Sequence, residues 1–285
     1  MIIWLASYPK SGNTYLRALL ASYFFTEDGN FNFETLDSIK LFPHLTLFEK
    51  LGIDTSNENE VLKNYIKVQE KINQMNNNSI CFIKTHSTLE AVNGNQFTDL
   101  KNSLGAIYII RDPRNTVTSY ANHFDISIEQ ASEDMLSLKY LQGLRANDKF
   151  ENSVLTHTGS WSSNYNSWKE FKKVDKYLLI KYEDLVLDPK KAFYSVIDFL
   201  NKFKKSKHII NEQKLENALQ TTSFNSLKNL EKEKGFVEAL KDKNNNPVTF
   251  FKYGPKNDWK KILPEKIKKK LETSLKKEMS ELGYL

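Results

Sequence analysis

Short apolar runs separated by longer helical patterns organise this chain. Four runs, at residues 2–6, 80–84, 106–110 and 177–182, are short and rich in residues that favour strands. None shows the strict alternation of a strand with one face in water, which is what a parallel sheet covered on both faces requires. The pattern therefore predicts four buried parallel strands.

Helical periodicity fills the intervals between these runs. Helices are predicted over residues 15–25, 115–124 and 158–171, and further helices begin at Pro189 and Pro264. The last apolar stripe comprises Ile267, Leu271, Leu275, Met279 and Leu282. Alternation of strands with helices predicts a doubly wound α/β fold, in which ligands bind beyond the carboxyl ends of the strands.

Composition narrows the class of protein. The 285 residues are 40% hydrophobic, which suits one α/β domain. The net charge of +6 arises largely from lysine runs at residues 202–207 and 266–277, which are typical of solvated helix faces. They do not alternate with exposed aromatic residues, so no nucleic-acid partner is predicted. The single cysteine excludes an internal disulfide.

The first ten residues lack the features of a signal peptide, and no apolar run reaches the length of a transmembrane segment. A cytoplasmic location is therefore expected. The sequence does not indicate an oligomeric state.

Residues 7–14, SYPKSGNT, follow the first strand and run into a helix. A glycine, a lysine and hydroxyl groups beside a helix N-terminus are typical of a phosphate-binding loop. The nucleotide pattern G-x-x-x-x-G-K-[ST] is absent. An ordinary helix cap formed by Ser11 or Asn13, with Lys10 in solvent, explains the segment equally well. Both interpretations stay open on this segment alone.

The second strand ends in Lys84-Thr85-His86. Lys84 and His86 project to the same side of an extended segment. A histidine suits the role of general base because its ordinary pKa lies near neutrality. The alternative for a lone histidine is a plain surface or core position.

The third and fourth strands also end in polar residues. Arg111 ends the third strand and Ser119 lies on the next helix, an arrangement that can fork around a phosphate. The alternative is a salt bridge from Arg111 to Asp112 or Glu183. Tyr182, after the fourth strand, can donate a hydrogen bond to a phosphate. Cationic and hydroxyl donors at one sheet edge favour a ligand with two separated anionic groups.

These motifs resemble the cytosolic-type sulfotransferases, which use 3′-phosphoadenosine 5′-phosphosulfate (PAPS). YPKSGNT is similar to the family's 5′-phosphosulfate loop, KTH to its catalytic histidine segment and RDPRNTVTSY to its 3′-phosphate segment. GSWSSNYNSW, KYEDL, TSFNSLKN and FFKYGPKNDWKK also have counterparts, in family order, over almost the whole chain.

The resemblance implies one sulfotransferase domain over residues 1–285, with a P-loop-type parallel sheet flanked by helices on both faces. It implies transfer of a sulfuryl group from PAPS to an acceptor hydroxyl, with adenosine 3′,5′-bisphosphate (PAP) as product. A histidine base and independence of metal ions are also implied.

The resemblance further implies roles for individual residues. The 5′-phosphosulfate is expected at Lys10, Ser11, Gly12, Asn13 and Thr14. The 3′-phosphate is expected at Arg111 and Ser119, helped by Lys252, Tyr253 and Gly254. Tyr15 replaces the tryptophan that usually stacks on adenine, and Tyr182, Thr222 and Phe224 are expected to line the adenosine pocket. His86 is the expected base, with Lys84 beside it, and Lys10 is expected to act on the leaving phosphate oxygen. No metal-binding residue is expected.

One departure from the family pattern affects the expected donor site. The family's arginine–lysine pair reads Lys252-Tyr253 here. One cation is lost, and a lysine cannot fork bidentately around a phosphate. This predicts weaker donor binding, or compensation by another residue such as Arg114.

Two other functions and the choice of acceptor stay open in the sequence. A kinase on a related P-loop scaffold, or a non-catalytic binder of a nucleotide or polyanion, could use the same basic edge. The acceptor is expected to be a hydroxyl-bearing small molecule, lipid or glycan, covered by residues 30–78 and 123–157. His123 and His157 are interpreted as plain surface histidines rather than acceptor-site residues.

Overall fold

A parallel sheet forms the centre of the computed structural model, which describes residues 1–139, 141–142, 154–242 and 244–285. Within these residues the sheet has five strands, in the order β2-β3-β1-β4-β7, and all neighbours are parallel. The strands are β1 (Ile2–Ser7), β2 (Lys40–Leu41), β3 (Cys81–Thr85), β4 (Ser103–Ile110) and β7 (Tyr177–Lys181). A separate antiparallel ribbon pairs β5 (Leu141–Gln142) with β6 (Thr156–His157).

The central strand β1 is buried on both faces. Ile2, Trp4 and Ala6 point into one hydrophobic core, and Ile3 and Leu5 point into the core on the opposite face. This explains why the run lacks alternation in its sequence, because every side chain meets a covering helix. The predicted α/β fold with helices on both faces is confirmed.

The helices follow in chain order. They are α1 (Asn13–Phe25), α2 (Leu45–Glu49), α3 (Glu58–Lys63), α4 (Tyr65–Met75), α5 (Pro113–His123), α6 (Ile128–Leu136), α7 (Trp161–Trp168), α8 (Tyr182–Leu187), α9 (Pro189–Asn201), α10 (Glu212–Thr221), α11 (Phe224–Lys234), α12 (Trp259–Ile262), α13 (Glu265–Ser274) and α14 (Lys276–Glu281). Short 3₁₀ turns cover Phe33–Ser38, Lys169–Val174 and Gly254–Lys256.

The four predicted strands are present, with ends shifted by three residues at most. Strand β2 was not predicted, because two residues carry no periodic pattern. The predicted last helix is divided at Leu275 into α13 and α14, although all five residues of its apolar stripe are buried in one core. Trp161 and Trp168 are fully buried on α7, as their spacing predicted.

The order of the strands positions the functional site. β1 has β3 on one side and β4 on the other, so a crevice opens at the carboxyl ends of these three strands. The loop into α1, the segment after β3 and the start of α5 all lie at this edge. In ranges 1–139, 154–242 and 244–285, no helix has both the length and the apolar composition needed to cross a lipid bilayer.

Candidate active site

A cavity of about 880 Å³ lies at the carboxyl edge of the sheet. Most of the predicted site residues line it: Lys10, Gly12, Asn13, Thr14, Tyr15, Lys84, His86, Arg111, Ser119, Tyr182, Phe224, Lys252, Tyr253 and Gly254. Two do not. Ser11 and Thr222 are fully buried outside its lining, and the Thr222 hydroxyl donates to the carbonyl oxygen of Ala218 at 2.7 Å.

The loop between β1 and α1 is shaped by its backbone and by Asn13. Lys10 and Gly12 both have positive φ angles, of 65° and 101°. The Asn13 side-chain amide donates to the Leu5 carbonyl at 2.9 Å and to Ser7 Oγ at 3.2 Å, which ties the loop back to β1. No side chain caps α1. The helix-cap interpretation is therefore wrong, and the first turn of α1 faces the cavity without a side-chain acceptor.

Gly12 is required by both conformation and space. A Cβ at this position would lie 2.3 Å from Tyr182 Cδ2, and its φ of +101° is one that L side chains rarely adopt. We expect Gly12→Ala to lower the free energy of unfolding by about 1–3 kcal/mol, as strained backbone positions do. Denaturant unfolding measures this loss. Gly94→Ala is the matched control, because Gly94 has a φ of +77° but nothing within 4 Å. Equal losses in the two variants would show that the contact with Tyr182 contributes nothing.

Three buried hydrogen-bond donors near this loop have no partner among the described residues: Lys10 Nζ, Ser11 Oγ and Arg111 Nε. The Lys10 ammonium lies over the Phe250 ring, 3.4 Å from its centroid. Burial, aided by repulsion from Lys84, lowers the pKa of Lys10 to about 7. Buried donors without acceptors are costly, and native proteins rarely keep them. Their grouping at a cavity fits an anionic ligand.

Arg111 connects three parts of the site. Its guanidinium donates to the carbonyl oxygens of Lys10, at 3.4 Å, and Gly254, at 3.2 Å. It also stacks on Tyr182, with Cζ 4.2 Å from the ring centroid. Within the described residues it forms no salt bridge, since Asp112 pairs with Arg114 and Glu183 accepts from the Asp112 backbone N–H. The salt-bridge alternative for Arg111 is therefore wrong, and its charge remains directed at the cavity.

His86 is oriented by a backbone carbonyl. Its Nδ1 lies 2.8 Å from the Ser7 carbonyl oxygen, which can only accept a hydrogen bond. Nδ1 therefore carries the proton and Nε2 carries the lone pair. Burial, followed by repulsion from Lys84, lowers the pKa of His86 to about 3. The ring is thus neutral near pH 7, with Nε2 available to accept a proton.

The sequence matches the sulfotransferase domain family over residues 2–283. This chain belongs to the sulfotransferase family. It is 24% identical over 297 residues to flavonol 3-sulfotransferase from Flaveria bidentis, an alignment covering 99% of this chain and 83% of that protein. It is 26% identical over 282 residues to mouse sulfotransferase 1B1, covering 98% and 82%.

Solved structures show the same fold. A mouse sulfotransferase complexed with PAP superimposes with a TM-score of 0.58 at 19% identity, over 97% of this chain and 84% of that one. Retinol dehydratase, in complex with androsterone and PAP, gives a TM-score of 0.58 at 17% identity, covering 98% and 80%. Family membership decides for a sulfotransferase and against the kinase alternative.

Arg114 does not replace the missing arginine of this sulfotransferase. Arg114 is held by Asp112 and Glu272, each at 2.7 Å, and does not line the cavity. The suggested compensation by Arg114 is therefore wrong, because its charge is already neutralised. Lys252 lines the cavity, and its ammonium donates to Asn122 Oδ1 at 2.6 Å.

Aromatic side chains form one wall of the cavity. Tyr15, Tyr182 and Phe224 all line it. Phe224 packs so closely on Gly254 that a Cβ there would lie 2.2 Å from the ring. Aromatic rings in the lining of a cavity are groups on which a nucleobase can stack.

Glu238, one of the acidic residues that line the site, was not predicted. Glu238 lines the cavity, and its carboxylate pairs with Lys84 Nζ at 2.9 Å and with Arg17 Nη1. Burial alone would raise the pKa of Glu238, but Lys84 and Arg17 lower it well below its ordinary value. Glu238 lies 154 positions after Lys84 in a stretch without a motif, so no sequence signal joined them.

The histidines other than His86 differ from one another. His123 is only 3% exposed and lines the cavity beside Phe124 and Phe250, so its interpretation as a surface histidine is wrong. His123 is the last residue of α5 and lies on the buried face of that helix, so its ring points into the protein. His157 is partly buried, and its Nε2 lies 2.6 Å from a Glu58 carboxylate oxygen.

Among the described residues, no three His, Cys, Asp or Glu side chains are grouped as metal ligands.

Proposed function

We propose that this sulfotransferase moves the sulfuryl group of PAPS to an acceptor hydroxyl, with His86 as general base and without a metal ion. The observation that carries the proposal is the pair of buried cations, Lys10 and Arg111, with unmet hydrogen bonds in the same cavity as His86. PAPS has two anionic groups, and the site offers two cations, Lys10 and Arg111, for them. The PAP named in both structural relatives supports the same donor.

The donor-binding residues divide into three groups. Lys10 and the uncapped amides at the start of α1 hold the 5′-phosphosulfate. Arg111 and Ser119 hold the 3′-phosphate, with Lys252, Tyr253 and Gly254 at the rim. Tyr15, Tyr182 and Phe224 provide stacking surface for adenine. Ser11 and Thr222 lie outside the cavity lining, and Thr222 stabilises the end of α10 through its hydrogen bond to the Ala218 carbonyl oxygen.

PAPS supplies a sulfuryl group that is activated for transfer by its bond to a phosphate. As the acceptor oxygen bonds to sulfur, His86 Nε2 takes up the acceptor proton. The Ser7 carbonyl fixes the tautomer that this step needs. The negative charges of bound PAPS lie near the ring and favour its protonated form. His86 is therefore more basic with PAPS bound than in the empty site.

Negative charge develops on the phosphate oxygen as its bond to sulfur breaks. Lys10 and the first-turn amides of α1 are already fixed around that position and need not reorganise. These groups stabilise the negative charge on the leaving phosphate oxygen, which a metal ion does in many phosphoryl transfers. The chain's own cations are therefore the basis for proposing that no metal is required.

The acceptor is proposed to be a hydroxyl-bearing small molecule, because relatives are named for flavonols and the retinol dehydratase structures contain androsterone or retinol. Lipids and glycans are the remaining alternatives. Other cavity-lining residues, including Leu47, Ile72, Met75 and Phe124, offer an apolar region for such an acceptor. A cytoplasmic location remains a prediction.

The function is tested with the purified chain, PAPS and a panel of phenols, sterols, retinoids and glycans, in EDTA and in magnesium. We expect sulfated product and PAP in equal amounts, at the same rate in both conditions. A requirement for magnesium would overturn the metal-free mechanism. Thermal stabilisation by ATP with magnesium, and none by PAP, would overturn the donor assignment.

A further inference from the structure

The cavity contains a buried ion cluster made of Glu238, Lys84 and Arg17. Lys84 is 6% exposed and Arg17 is 4% exposed. Glu238 uses one carboxylate oxygen for each of them. Arg17 is itself fixed by donating to the carbonyl oxygens of Leu36, at 2.9 Å, and Ile39, at 3.0 Å. The carboxylate therefore joins Lys84, at the end of β3, to a rigid point on α1.

The two lysines of the cavity differ in their counterions. Lys10 Nζ is buried without a hydrogen-bond partner, and its pKa is lowered to about 7. Burial also lowers the pKa of Lys84, but Glu238 opposes this effect. A buried lysine without a counterion tends to lose its proton. Glu238 raises the pKa of both lysines, but among the described residues only Lys84 of the two forms an ion pair with it, at 2.9 Å.

We propose that Glu238 is a positioning residue of the sulfuryl-transfer site, which clamps Lys84 as a fixed cation beside His86. The proposal rests on the proposed function, since it assigns Lys84 a task in that reaction. A charged, immobile Lys84 can donate to an oxygen at the transfer site throughout the reaction, whereas a neutral or mobile amine cannot. Glu238 contacts Lys84 directly, and it influences Lys10 and His86 only through its charge at longer range.

The charged groups around Lys84 come from each neighbouring element. Arg17 on α1 and Lys10 in the loop after β1 repel its proton, and His86 and His123 add repulsion only when protonated. Glu238 is the acidic group in direct contact with it among the described residues. Replacing Glu238 by a neutral isostere therefore leaves Lys84 surrounded by positive or neutral groups.

Two substitutions with opposite expected signs test the clamp. The titration of Lys84 is followed in the full chain without donor, by NMR of lysine labelled at Cε and Nζ, with Lys84→Arg used for assignment. Glu238→Gln should lower the titration midpoint of Lys84 by about one to three pH units, the effect of losing an opposite charge at contact distance. Arg17→Gln should raise the midpoint, because it removes a repelling charge and leaves the Lys84–Glu238 pair intact.

Turnover gives the second readout. In Glu238→Gln the alkaline limb of the pH profile of kcat should move to lower pH by the same amount as the Lys84 titration. Glu231→Gln is the matched control, since Glu231 accepts from the backbone N–H groups of Phe250 and Phe251 and contacts neither Lys84 nor Arg17. It should leave the Lys84 midpoint in place.

The results separate the clamp from the function. An unchanged Lys84 midpoint in Glu238→Gln overturns the clamp, even in an active enzyme. If Glu238→Gln does not fold, a midpoint that fails to rise in Arg17→Gln overturns it instead. Faster turnover by Glu238→Gln with an unmoved profile would make Glu238 a blocking contact and also contradict the proposal. Absence of sulfuryl transfer by the unmodified chain would overturn the proposed function, whatever the titration shows.

Discussion

Replacement of His86 by alanine is expected to lower kcat by about 10²–10⁴-fold, the usual contribution of a positioned general base. An acceptor hydroxyl does not ionise by itself near neutral pH, so its proton must leave as the oxygen attacks. His86 Nε2 is the group that the Ser7 carbonyl holds in the correct tautomer for this task. The loss should appear in kcat rather than in donor binding, because the proposed anion-binding groups are Lys10 and Arg111.

The measurement compares sulfated product formation with PAP binding by calorimetry. The affinity of His86→Ala for PAP should stay within about threefold of the unmodified chain, a difference below 1 kcal/mol. His208→Ala is the matched control: His208 lies against Tyr23, outside the cavity lining, and its loss should not change turnover. Retention of more than a third of the activity in His86→Ala would remove His86 from the role of base.

Replacement of Lys10 by methionine is expected to lower kcat by about 10²–10³-fold, as loss of a group that meets developing charge does. It should also change how PAP binding depends on pH. Lys10 in the free site has a pKa of about 7, and an anion beside it favours the charged form and raises that pKa. Binding above pH 7 therefore takes up a proton.

The sign of this dependence follows from linkage. The affinity for PAP should fall as pH rises above 7, by up to about tenfold per pH unit, until the pKa of the bound state is reached. Ligand phosphates, with a second pKa of about 6, are ionised throughout this range. Calorimetry at pH 7, 8 and 9, in two buffers with different heats of ionisation, measures both the affinity and the proton uptake.

Lys10→Met should bind PAP more weakly at pH 7 and lose most of the pH dependence between 7 and 9. Methionine keeps the apolar stem against Phe250, so packing is conserved as far as possible. Affinity that is constant from pH 7 to 9 in the unmodified chain would contradict the assignment. The assignment would also be contradicted if PAP affinity changed with pH equally steeply in Lys10→Met and in the unmodified chain.

Much of the fold and the donor half of the candidate site could be predicted from local sequence. Four of the five described strands of the sheet, all except β2, are contiguous apolar runs, so their composition identifies them without knowledge of their neighbours. The residues at their carboxyl ends, including Lys10, His86 and Arg111, follow each run directly. Parallel strands bring such ends to one edge, and the structure places all three in one cavity.

The sequence by itself determined the parallel α/β fold and the set of cationic strand-end residues, because these features are encoded in short, contiguous segments. Only the tertiary structure decided which of these charged side chains are free to bind a ligand and which are paired within the protein. It buried Lys10 and Arg111 without a salt bridge among the described residues, neutralised Arg114 with Asp112 and Glu272, and turned His123 inward. It also brought Glu238 to Lys84 across 154 positions. The physical reason is that pairing and desolvation depend on distances between elements, and residues far apart in sequence carry no local pattern that records those distances.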